Sequence, residues 1–224
     1  MNQVKLNLIE AEKKAAILFE NISAKGLIVP GKSENELNSD IFNLAFDLFG
    51  INKYWHKRIV RAGKNTLKPY KENPQNLIIK EDDILFIDFG PIFDEWEADY
   101  GRTYVLGTDE YKHKLVEDIS VAWNECKVFF ESKDNITGSE LFRYANEVAE
   151  KYGWEFGGEI AGHLIGHFPH EKLDNEDKTN YVHPENNVEM RALDKSGNKR
   201  DWILEIHFID KEKEIGGFYE QLLT

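Results

Sequence analysis

At 224 residues, with 41% hydrophobic and 12% aromatic residues, the chain holds enough apolar material for one substantial core despite its 31% charged fraction. Its 41 acidic and 28 basic residues leave a net charge of −13, which disfavours nucleic acid or an anionic membrane as the main partner and mildly favours cations. The single cysteine, Cys126, excludes a disulfide framework and any multi-cysteine metal site; with no basic leader and no apolar run of membrane-spanning length, a cytoplasmic protein is expected.

Leu8, Ala11, Ala15, Leu18 and Ile22 fall at helical spacing, and Gly26 offers a stop, so the chain opens with an amphipathic helix. Ser33 with Glu36 forms a capping-box pattern ahead of the stripe Leu37, Ile41, Leu44, Ala45 and Leu48, and Gly50 ends this second helix. An irregular, basic stretch from Lys53 to Lys80 leads to an apolar strand, Ile84 to Phe89, and a return strand, Tyr100 to Leu106. The second half repeats this order. Leu115, Ile119, Ala122, Cys126 and Phe129 mark a third helix, and Thr137 with Glu140 caps a fourth through Leu141, Ala145, Val148, Ala149 and Tyr152. A final hairpin runs Trp202 to Phe208 and Gly217 to Leu223. No Pro-, Gly- or Ser-rich linker separates the halves, which favours one pseudo-symmetric α+β domain over residues 1–224.

In the first hairpin Ile84, Phe86 and Asp88 share one face of a strand whose other face is Leu85, Ile87 and Phe89. A carboxylate in such company is expected to be buried and to need compensation. A turn centred on Phe93 and Asp94 would set Asp88 opposite Asp99, Cβ atoms roughly 5 Å apart. In the last hairpin a turn centred on Glu212 and Lys213 sets Glu205 opposite Glu220. Facing carboxylates destabilise a sheet unless one is protonated or a cation lies between them, so a divalent metal cluster is the economical reading. Three histidines, His163, His167 and His170, crowd the glycine-rich segment GEIAGHLIGHFPHE, where backbone is expected to approach a ligand closely. An imidazole added to oxygen donors biases such a site toward manganese, iron, cobalt or zinc.

Together these residues resemble the pita-bread metallohydrolase family, which includes methionine aminopeptidase, Xaa-Pro aminopeptidase, prolidase and creatinase. The segment FIDFGPIFDEWEADYGRTYVLG matches the family's first signature at Asp88 and Asp99, and GHLIGHFPHE matches its second at His163 and His170. Glu205 and Glu220 fall where the family has its last two ligands. The resemblance implies a curved antiparallel sheet backed by two helix pairs. It also implies two divalent ions, manganese first among the candidates, held by Asp88, Asp99, His163, Glu205 and Glu220. Asp88 would chelate one ion and His163 the other, with Asp99 and Glu220 spanning the pair. Glu205 would also shuttle a proton, and His170 would stabilise a tetrahedral intermediate.

Three departures bear on substrate. Xaa-Pro enzymes usually carry a histidine four residues before the metal histidine, where this chain has Glu159. The substrate-side histidine before the first metal strand has no clean match; Tyr70 stands there, with His56 as an alternative. The fourth ligand lies in ILEIHF without the usual following proline, and an enlarged segment, about 173–200, precedes it; His207 shares a strand face with Glu205 and could enter the pocket. The resulting expectation is an aminopeptidase-like hydrolase acting on a short peptide or an amino-acid-derived small molecule. The alternatives are a nonpeptide C–N hydrolase and a noncatalytic peptide-binding module. The expected organisation is a bare catalytic domain, without the N-terminal domain that many prolidase and creatinase relatives carry, and a homodimer could supply missing pocket walls.

Overall fold

The structure, a computed structural model, describes residues 3–68, 70–169, 177–194 and 197–224. Two helices open it, α1 (Gln3–Ala24) and α2 (Glu34–Phe49). The Ser33 side chain accepts from the Glu36 amide while Glu36 accepts from the Ser33 amide, and Gly50 closes α2 in the left-handed region at φ 68°. The second pair, α3 (Glu110–Glu131) and α4 (Gly138–Tyr152), repeats the device with Thr137, Glu140 and a left-handed Gly153.

Between and after the pairs the described residues form nine strands: β1 (Ile59–Ala62), β2 (Ile84–Phe89), β3 (Ile92–Phe93), β4 (Trp96–Glu97), β5 (Tyr100–Val105), β6 (Glu155–Phe156), β7 (Leu164–Ile165), β8 (Asp201–Asp210) and β9 (Ile215–Leu222). Every pairing is antiparallel, and the main sheet runs β1-β2-β5-β9-β8-β6, with β7 also on β8. Strand β1 lies inside the stretch expected to be irregular. The basic Lys57 and Arg58 before it and Arg61 within it mask a segment whose four residues are all buried.

Strand alternation assigns each face of the sheet a job. Leu85, Ile87 and Phe89 pack with Leu18, Ile22, Leu37 and Ile41 of the first helix pair. Leu204, Ile206 and Phe208 pack with Ile119, Trp123 and Leu141 of the second. The indole of Trp123 also donates to the Leu204 carbonyl at 2.8 Å. Helices therefore cover one face of both halves, and Asp88 and Glu205, one residue out of phase, point to the other.

The first hairpin turns two residues' worth of register away from the symmetric expectation. Asp94 and Glu95, at φ 50° and 71°, form the tight turn between β3 and β4, as a two-residue hairpin with left-handed central residues requires. Asp88 consequently pairs with Gly101 rather than Asp99. The last hairpin has the expected register, with Glu205 opposite Glu220.

Candidate metal centre

A single row crosses four strands of the sheet: Asp88 on β2 pairs with Gly101 on β5, Gly101 with Glu220 on β9, and Glu220 with Glu205 on β8. Glycine is required in the middle of the row. A Cβ at residue 101 would lie 2.6 Å from the Phe218 ring and 3.0 Å from the Glu220 Cβ. Asp99, just before β5, brings its carboxylate to the imidazoles of His56 and His163. Arg102 and Thr103 lock β5 against β9. The Arg102 guanidinium donates to the Glu220 carbonyl at 2.8 Å and lies 3.8 Å from the ring centres of Tyr100 and Tyr219, while Thr103 Oγ1 exchanges hydrogen bonds with the Phe218 backbone.

Two imidazoles meet the acids. His163 Nε2 lies 3.1 Å from Asp99 Oδ2 and 3.8 Å from Glu220 Oε1. His56 Nε2 lies 3.0 Å from Asp99 Oδ1 and 3.6 Å from Asp88 Oδ1. Ligand-capable atoms of His56, Asp88 and Asp99 fall within 4.8 Å of one another, as do those of Asp99, His163 and Glu220, so Asp99 belongs to both groups. Among the described residues, Asp88 Oδ1 and Glu220 Oε2 are buried without a hydrogen-bond partner. Buried carboxylate oxygens left this way cost several kcal/mol, about 1–3 for each missing bond and more when charged, which fits a site built for cations. Hard oxygens with imidazole nitrogen suit a divalent transition metal.

The electrostatics of the bare side chains tell the same story. Burial pushes Asp88 up to about 7 against the pull of His56. Burial would raise Asp99 too, yet His56 and the hydrogen bonds from both imidazoles hold it well below the carboxylate range. Glu220 is raised far above its ordinary value by burial and by the Asp99, Asp88 and Glu205 charges, and burial raises Glu205 as well. Burial opposes charge on His56, but the Asp99 and Asp88 carboxylates lift it to about 9.

The model of metallopeptidase family M24 matches residues 7–193 of this sequence. The chain belongs to metallopeptidase family M24. Over 157 residues it is 26% identical to a Xaa-Pro dipeptidase of Pyrococcus horikoshii, covering 66% of this chain and 44% of that protein. With a Xaa-Pro dipeptidase of Lactobacillus helveticus it shares 29% identity over 105 residues, 47% of this chain and 28% of the relative. The chain thus spans less than half the length of these curated relatives. A dipeptidase structure from P. horikoshii superposes with a TM-score of 0.74 at 24% identity, over 97% of this chain and 58% of that one. The methionine aminopeptidase of Rickettsia prowazekii superposes at 0.70 with 16% identity over the whole of both chains. The M24 chain has the α+β pita-bread fold of these structures, with its sheet backed by the two helix pairs.

Of the residues singled out in the M24 sequence, Asp88, Asp99, His163 and Glu220 are buried together in the cluster. Glu205 sits opposite Glu220 and is partly exposed, outside both tight ligand groups. His170 lies outside the described residues, as do residues 173–176 and 195–196 of the 173–200 segment. Tyr70 is half exposed; its hydroxyl accepts from the Lys57 amide at 3.3 Å and its ring lies 5.9 Å from His56, so it flanks the cluster. His207 is buried away from the acids, donating from Nε2 to the Thr66 carbonyl at 2.8 Å, with burial pushing it down to about 4. A neutral histidine bound to backbone is a structural one. Glu159 is exposed and paired with Lys71 at 3.0 Å.

Gly162 does allow a close approach, but to protein rather than ligand: at φ 141°, a Cβ there would lie 2.1 Å from the Ile203 carbonyl oxygen. Trp55 carries no motif and Gly90 was not singled out within its signature; their position beside His56 makes them part of the site.

Proposed function

We propose that residues 1–224 form the catalytic domain of a two-metal hydrolase that cleaves a peptide or amide bond next to a free amino terminus in a short peptide. Four carboxylates, Asp88, Asp99, Glu205 and Glu220, crowd one end of the sheet with two buried oxygens unpartnered among the described residues, and this uncompensated acid carries the proposal. Asp88, Asp99, His163, Glu205 and Glu220 would hold the ions, with manganese first and iron, cobalt or zinc as alternatives. When bound, two divalent ions supply a hydroxide near neutral pH and polarise the scissile carbonyl.

The protein's own groups do the rest. Glu205, partly open to solvent and raised above the ordinary carboxylate pKa by burial, would pass a proton to the leaving amine. His170 follows from the family signature as the donor to the tetrahedral oxyanion. Tyr70 shapes the substrate side. Relatives described as Xaa-Pro dipeptidases support a dipeptide-sized substrate. A required proline is not part of the proposal, because Glu159 occupies the expected imidazole position and is turned to Lys71 in solvent.

Elemental analysis of purified protein is expected to give about two divalent ions per chain, and a panel of dipeptides and tripeptides to include a metal-dependent substrate. Full activity from a folded, metal-free protein would overturn the proposal. A metal-loaded chain inert on every peptide but active on an amino-acid-derived amide would shift it to nonpeptide C–N hydrolysis.

A further inference from the structure

His56 and His163 are held alike. In each, Nδ1 lies 2.8 Å from the carbonyl of the following residue, Lys57 or Leu164. A carbonyl only accepts, so Nδ1 carries the hydrogen and Nε2 is the atom presented to the acids. A backbone carbonyl holding the far nitrogen is the usual support of a metal-ligating histidine. Each Nε2 then addresses its own oxygen of Asp99, Oδ1 for His56 and Oδ2 for His163, and each lies near one further carboxylate.

From this geometry we infer that His56 is a metal ligand, completing with Asp88 and Asp99 the nitrogen-containing shell of the first ion, as His163 does for the second. The inference rests on the two-ion reading above. Metal–ligand bonds of about 2.1 Å place neighbouring ligand atoms about 3.0 Å apart in octahedral and about 3.4 Å apart in tetrahedral geometry. The separations of 3.0 and 3.6 Å around His56 match those of 3.1 and 3.8 Å around His163. A single proton on Nε2 would serve Asp99 alone and leave Asp88 Oδ1 orphaned; an ion serves all three atoms. Charge points the same way. Two divalent cations already balance four carboxylates, so a neutral, ligating imidazole fits beside them better than an imidazolium.

The fold makes room for this ring deliberately. A Cβ on residue 90 would lie 2.1 Å from His56 Cδ2 and 2.3 Å from its Nε2, so only glycine lets the imidazole reach the acids. Trp55 pins the segment, its amide donating to the Gly90 carbonyl and its indole to the Ala98 carbonyl, both at 3.0 Å. Its ring stands edge-on to both histidines, 4.5 Å from His56 and 5.2 Å from His163.

Manganese and zinc titrations of the metal-stripped chain, followed by calorimetry, test the inference. Wild type is expected to bind two ions. His56→Ala should keep one near wild-type affinity and bind the other at least about 10–100-fold more weakly. Gly90→Ala, which leaves His56 in the chain but displaces it, should do the same. Circular dichroism and melting of each variant guard against simple unfolding. As a readout that needs no variant, nitrogen NMR of the zinc-loaded wild type should show metal-bound Nε2 atoms on both His56 and His163. Two ions bound normally by His56→Ala, or a metal-bound signal from His163 alone, would overturn the assignment. Wild type binding no ion would instead remove the two-ion reading itself.

Discussion

Asp99 divides its carboxylate between two imidazoles, Oδ1 to His56 Nε2 at 3.0 Å and Oδ2 to His163 Nε2 at 3.1 Å. Among the described residues, no other side chain belongs to both ligand groups. Asp99→Ala is therefore expected to lose both ions and all measurable hydrolysis together. In the metal-free state it should also cost about 3–5 kcal/mol, because two buried histidines lose their partner. Urea unfolding with and without metal checks both parts.

The metal-free protein should weaken as pH rises. Asp88 has its folded pKa raised from the ordinary carboxylate value to about 7, so its favourable contribution is present at low pH and is lost as pH climbs to 7. His56, raised from 6.5 to about 9, contributes fully below 6.5 and loses that contribution as pH rises through 9. Asp99 works in the opposite sense, weakening the fold only in strong acid, as pH falls below the ordinary carboxylate value. Saturating metal should reverse the trend between about pH 5 and 8, since ions displace protons from these ligands. Melting temperatures across pH, stripped and reconstituted, measure this; a flat stripped profile would contradict the buried geometry.

Gly101→Ala is expected to destabilise by about 1–3 kcal/mol through overpacking against Phe218 and to spread the acid row. Metal affinity should fall even though no ligand has been changed. Wild-type affinity in this variant would mean that the row tolerates a side chain at its centre.

His207→Phe separates structure from substrate binding. The variant forfeits the hydrogen bond to the Thr66 carbonyl, costing about 1–3 kcal/mol, yet should leave KM and metal content unchanged. Tyr70→Ala, by contrast, should raise KM with little loss of stability, since Tyr70 is half exposed. A KM effect from His207→Phe would return that histidine to the pocket.

Much of this architecture was legible locally. The capping boxes at Ser33 and Thr137, the helical stripes, and the alternation that sets Asp88 apart from Leu85, Ile87 and Phe89 are statements about neighbours in sequence, and the described elements follow them. Strand β1 escaped because its burial comes from β2 and α2, not from its own basic composition.

Residue order alone thus set Asp88 and Glu205 on the strand face turned away from the helices, since strand periodicity decides which side chains share a face. Tertiary structure decided how they meet. The left-handed pair Asp94 and Glu95 shifted the first hairpin's register, and pairing of β5 with β9 joined two acid pairs far apart in the chain. The glycine at residue 90 admitted His56 and the backbone around Thr66 claimed His207, because cross-strand register and close packing depend on contacts that no local pattern encodes.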